Sequence, residues 1–176
     1  MDNNRIVTIP SECFKHNKKL RTINLSSNHL RSIAGLFSDL PSLESLDLQR
    51  NYLLSISDDV FAGSGRIKTL SLSHNNLYQV ADLAFKPLQQ LTELRLDHNF
   101  LSAVSEDVLR HNIALTTLSL DHNMIKVAGY SLHLKYFRFV SFIPTFHKSS
   151  PLRFPSFKNV SVLKIFGVDK NIYTSL

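Results

Sequence analysis

The sequence predicts an α/β solenoid: a coil of stacked units with short parallel strands on its concave wall and irregular or short helical segments on its convex wall. Two observations carry this reading. The chain repeats Leu-x-x-Leu-x-Leu-x-x-Asn-x-Leu-x-x-Ile in register, and Asn28, Asn51, Asn75, Asn99 and Asn123 fall 23, 24, 24 and 24 residues apart. A period in the twenties marks units too small to bury their own apolar faces, so each must stack on its neighbours.

The units run in order along the chain. Residues 1–19 hold a partial N-terminal unit, in which Asn4, Ile6, Ile9, Pro10 and Phe14 match the second half of the pattern. Five full units follow over residues 20–128. The first reads Leu20, Ile23, Leu25, Asn28, Leu30, Ile33, and the second Leu43, Leu46, Leu48, Asn51, Leu53, Ile56. The next two read Ile67, Leu70, Leu72, Asn75, Leu77, Val80 and Leu91, Leu94, Leu96, Asn99, Leu101, Val104. The fifth reads Leu115, Leu118, Leu120, Asn123, Ile125, Ala128. Each Leu-x-Leu pair alternates as a strand must, and the three-residue steps after it suit a turning segment. Phe37, Phe61 and Phe85 recur once per unit, with Leu109 in that place in the fourth.

This pattern resembles the leucine-rich repeat, in its typical 24-residue class, over residues 20 to 128. The resemblance implies a horseshoe whose concave sheet or flank grips another protein, as in chaoptin, Slit and Toll-type receptors of animals. It implies a fragment of a cell-surface or secreted adhesion or receptor ectodomain, located outside the cell. The start in mid-repeat also makes the chain look like a piece of something longer. Each column has a physical reason. An asparagine amide has both donors and an acceptor for turn backbone groups that would otherwise be orphaned inside the stack. A phenylalanine under the convex wall contributes roughly 1.5–3 kcal/mol when fully buried.

Composition narrows the function. At 176 residues and 43% hydrophobic content the chain can bury a core as one domain. The lone Cys13 rules out an internal disulfide framework, and its position beside Phe14 suggests a small buried hydrophobe. The opening residues lack a secretory leader, and the most apolar run, Phe139 to Phe146, is far shorter than the roughly 20 residues of a membrane helix. A membrane would therefore be reached only through missing parts of a longer parent. The sequons Asn24-Leu25-Ser26 and Asn159-Val160-Ser161 are no more than chance supplies, and Asn24 falls within a concave strand.

Residues 129–176 break the pattern. Residues 126–176 hold eight basic side chains and one acid, whereas residues 1–125 hold twelve basic and thirteen acidic ones, so the net charge of +6 resides in the tail. Three readings are open there: a degenerate repeat, a cap, or a non-native tail. Phe154, Phe157, Val160, Leu163 and Ile165 repeat the spacing of Phe37, Leu40, Leu43, Leu46 and Leu48, and Leu134, Phe137, Val140 and Ile143 repeat part of it. Leu132, Leu134 and Tyr136 alternate as an edge strand would. The basic residues are scattered singly, which argues against a nucleic-acid partner.

Chemistry is sparse. The residues flanking the inward leucines form four solvent-facing columns: Thr22/Ser45/Thr69/Glu93/Thr117, Asn24/Asp47/Ser71/Arg95/Ser119, Ser26/Gln49/Ser73/Asp97/Asp121 and Ser27/Arg50/His74/His98/His122. Strands about 4.8 Å apart would set three histidines beside two aspartates. Such groups ligate metals, but a nearly flat face converges ligands poorly, so no metal and no cofactor is assigned. Without an oxyanion site or a water-excluding pocket, no catalytic residue is assigned and no small-molecule substrate is expected. The columns instead suggest a protein-binding face at Asp47, Gln49, Arg50, His74, Glu93, Arg95, Asp97, His98, Asp121 and His122. Two other readings stand beside this one: an intracellular repeat scaffold, and a metal-dependent or hydrolytic enzyme built on the His/Asp columns.

Overall fold

The computed structural model describes residues 1–125 and the strand backbones of Phe139–Phe142 and Val162–Ile165. The strands in chain order are β1 (Thr22–Asn24), β2 (Ser45–Asp47), β3 (Ser55–Ile56), β4 (Thr69–Ser71), β5 (Gln79–Val80), β6 (Glu93–Arg95), β7 (Thr117–Ser119), β8 (Phe139–Phe142) and β9 (Val162–Ile165). One parallel sheet runs β1-β2-β4-β6-β7-β8-β9, and β3 with β5 forms a second, two-stranded parallel sheet. Between successive long-sheet strands from β1 to β7 the chain passes over the convex wall in turns and a short helix, α1, at Glu106–Leu109, and a 3-10 turn at Ser11–Phe14 precedes β1. This is the leucine-rich repeat solenoid that the period requires.

Strand register follows the repeat frame. Ile23 is level with Leu46, Leu46 with Leu70, Leu70 with Leu94 and Leu94 with Leu118. Each central residue is buried while its two strand neighbours stay partly or fully exposed. The leucines of successive units thus form one continuous core from Phe14 to Ile125. Beneath the convex wall Phe14, Phe37, Phe61 and Phe85 make a stacked spine with centroid spacings of 6.3, 6.4 and 6.2 Å.

The asparagines tie the coils together through their amides. Asn51 Nδ2 donates to Leu25 O at 2.9 Å in the preceding unit and to Leu48 O at 3.0 Å in its own. Its Oδ1 accepts the N–H of Leu30 at 3.0 Å. Asn75, Asn99 and Asn123 repeat this arrangement one unit on, as Asn28 does one unit back. A buried polar side chain is tolerated because each of its hydrogen-bonding groups is used. Asn4 makes the corresponding local bonds to Met1 O and Asp2 O.

Coil packing is tight on the convex side. Gly63 has φ +76°, and a Cβ there would stand 2.9 Å from Asp39 Cα in the unit before. Only glycine combines that left-handed turn with so close an approach. Among the described residues no helix is long and apolar enough to cross a membrane.

Three expectations meet a different outcome or fall outside the described residues. Cys13 is exposed rather than buried, because Phe14 takes the inward position of the 3-10 turn and turns Cys13 outward. Ser26 and Ser73 are buried rather than solvent-facing. In the tail the register sets Val140 level with Leu118 and Leu163 level with Val140. The edge strand expected at Leu132, Leu134 and Tyr136, and the remainder of residues 129–176, lie outside the described residues.

Candidate partner-binding face

The concave sheet presents its columns as the register dictates. Ser45, Thr69, Glu93 and Thr117 are level with one another, as are Asp47, Ser71, Arg95 and Ser119. Local polar bonds hold several of these side chains in place. Arg95 Nε donates to Glu93 Oε1 at 2.6 Å, and Gln49 Nε2 donates to Asp47 Oδ2 at 3.2 Å. Thr69 Oγ1 donates to Ser45 Oγ at 2.9 Å. Asp47, Gln49, Glu93 and Arg95 thereby border one shallow concavity of about 290 Å³. Such a hollow has no deep apolar wall to bury a small ligand.

Three residues past the strand end the chain changes hand. Asn3, Ser27, Arg50, His74, His98 and His122 all have φ between 52° and 54°. Non-glycine residues seldom adopt this left-handed conformation, and Asn and His are among those that do so most readily. From Asn3 to His98 the backbone N–H groups in this row donate to the carbonyl one unit on, as in His74 to Asp97 at 2.9 Å and His98 to Asp121 at 2.8 Å. The repeated conformation gives all three histidines the same direction. Their rings stack at 4.0 Å between centroids with 9° between planes, from His74 to His98 and from His98 to His122. Burial between its neighbours lowers the pKa of His98, and the two flanking imidazoles lower it further, against the opposing effect of Asp97 and Asp121. Arg50 occupies the same turn position one unit before His74 and is exposed.

The structure also brings together groups that a flat face was expected to keep apart. One ligand atom each from His74, Asp97 and His98 lie within 4.8 Å of one another. Asp97 Oδ1 accepts the hydroxyl of buried Ser73 at 2.6 Å, which fixes the carboxylate. Asp121 and His122 occupy the matching places one unit on, with Ser119 Oγ donating to Asp121 Oδ2 at 3.5 Å.

A second surface is absent from the expectations drawn from sequence. Tyr52, Phe100 and Met124 each follow a ladder asparagine and are about half exposed, as are Leu54 and Tyr78 two residues further along. Backbone bonds from Tyr52, Asn76, Phe100 and Met124 to Leu30, Leu53, Leu77 and Leu101 align this row on the flank of the coil. His29 meets Tyr52 there at 5.4 Å between ring centroids. The signal was present in the sequence as large apolar residues at non-core positions of the repeat, which an inward/outward count passes over.

A leucine-rich repeat family model matches residues 1–53, 42–101 and 65–125, and the chain belongs to that family. Leucine-rich repeat folds of this kind are protein-interaction modules. The Toll chain in a structure of the Drosophila Toll–Spatzle complex is similar, with a TM-score of 0.74 and 21% identity over 92% of this chain and 22% of that one. The glycosylated form of that complex gives 0.71 and 27% over 81% and 21%. The leucine-rich repeat domain of APL1B gives 0.65 and 20% over 92% and 44%. The chain therefore spans about a fifth of the Toll chain's length. No curated protein matches it significantly.

Proposed function

We propose that this chain is a protein-binding part of a cell-surface or secreted receptor or adhesion ectodomain, and that its partner docks on the concave face. One observation carries the proposal. Rows of charged side chains at Asp47, Arg50, Glu93, Arg95 and Asp97 adjoin a flank bearing exposed Tyr52, Tyr78, Phe100 and Met124. Arginine and aromatic residues at the centre of a rigid surface are the usual anchors of protein interfaces, with charge governing orientation and encounter. The likeness to Toll, solved in complex with the protein Spatzle, supports both a protein ligand and an extracellular setting. No nucleic acid or small substrate enters this reading.

The compartment is tested with an antibody raised against the folded repeats and applied to cells that express the native protein. Staining of intact cells, or capture of the protein from their medium, is the expected result. Signal that appears only after permeabilisation overturns the extracellular reading and favours an intracellular scaffold using the same face.

A further inference from the structure

We propose that His74, Asp97 and His98 form a binding site for one divalent transition-metal ion of the zinc class, placed where the concave sheet ends and the chain turns onto the flank. The site does not depend on the partner-binding reading. Its candidate ligand atoms already lie within 4.8 Å of one another. Tetrahedral zinc, with nitrogen and oxygen ligands at about 2.0–2.2 Å, holds those ligands roughly 3.4 Å apart, so the widest pair must close by about 1.4 Å. The side-chain torsions of exposed His74 can supply that movement. The two rings must also tilt apart, because an ion lies in the plane of each imidazole that binds it and planes stacked at 4.0 Å share no such point.

The rest of the site is held in place. The backbone N–H groups of His74 and His98 are bonded to the next unit, so the Cα positions of both ligands are fixed. Ser73 donates to one oxygen of Asp97, orienting the carboxylate and leaving its other oxygen for an ion. Such supporting bonds tune a metal site and typically matter about 10- to 100-fold in affinity. Two imidazoles with one carboxylate suit zinc, copper or nickel and are poor hosts for calcium and magnesium, which take oxygen ligands. The remaining coordination positions would face solvent.

Zinc chloride titrated calorimetrically into the full chain at about pH 7.5 should give saturable uptake of one ion at micromolar concentration. His74→Ala, Asp97→Asn and His98→Ala should each weaken uptake by about tenfold or more while circular dichroism stays unchanged. His111→Ala, in the loop after α1, should not alter it. The proposal is overturned if micromolar zinc gives no saturable uptake, if His98→Ala binds like the parent chain, or if calcium binds equally well. Should an alanine variant lose its fold, Asp97→Asn preserves side-chain shape and decides alone.

Discussion

Replacing Asn75 with leucine adds apolar area at a buried position, yet the structure predicts a large loss of stability. Asn75 is 4% exposed. Its Nδ2 donates to Leu48 O and Leu72 O at 3.0 Å and to Ser73 O at 3.3 Å, and its Oδ1 accepts Leu53 N–H at 3.1 Å. These four bonds are not equivalent. Leu48 O keeps a second donor in Asn51, Leu72 O keeps Asn99, and Ser73 O keeps the Arg50 N–H. Leu53 N–H loses its acceptor and is stranded inside the stack. One orphaned buried donor costs about 1–3 kcal/mol, and three weakened carbonyl bonds bring the expected total to about 2–4 kcal/mol after the gain in apolar contact. Asn76→Leu is the matched control. Position 76 is partly exposed and outside the ladder, so its change should stay within about 0.5 kcal/mol. Urea unfolding followed by circular dichroism compares the two. Equal losses at both positions, or a loss below about 1 kcal/mol at Asn75, would refute the hydrogen-bond argument.

Three further outcomes can be checked. Phe61→Ala removes the ring stacked between Phe37 and Phe85 and should cost about 3–5 kcal/mol, with hydrogen exchange rising in the units on both sides. Gly63→Ala forces a Cβ to within 2.9 Å of Asp39 Cα at a left-handed φ, and a melting temperature no lower than the parent's would show that the coils can separate there without penalty. The depressed pKa of His98 means that the unfolded chain binds the proton more readily, so the contribution of this residue is complete above about pH 6.5 and is lost as pH falls through the folded value. Nuclear magnetic resonance of the His98 ring should place its midpoint below about 6.5, and a midpoint above it would contradict the stacked geometry.

Much of this fold was legible because one period fixes both what is buried and what is level. Leu46, Leu70 and Leu94 occupy equivalent places in the sequence pattern, and parallel stacking leaves equivalent places only one way to align. The candidate face was legible in outline for the same reason, since residues beside an inward leucine must point outward along a strand. That rule stops where the strand stops. Past Leu25 and Leu72 the chain bends into its left-handed turn, so Ser26 and Ser73 are folded under cover although simple alternation points them to solvent. The same turn stacks His74, His98 and His122 and draws Asp97 in among them, a convergence that depends on backbone hand rather than on spacing. Cys13 was misjudged because a 3-10 turn sends neighbouring side chains to different faces, and beside the larger Phe14 the sulfur is the one left outside. The flank of Tyr52, Phe100 and Met124 was missed because those positions carry no fixed residue type in the repeat pattern.

The central claim, that partners dock on the concave wall, is tested most directly by photo-crosslinking in cells that express the native protein. A benzoyl-phenylalanine in place of half-buried Ser71, level with Arg95, samples the concave sheet without removing a proposed anchor, and one in place of exposed Lys86, beside the buried Phe85, samples the convex wall. A discrete crosslinked protein from position 71, lost when Asp97 is changed to lysine and missing from position 86, is the predicted result. A crosslink from position 86 with none from position 71 would contradict it.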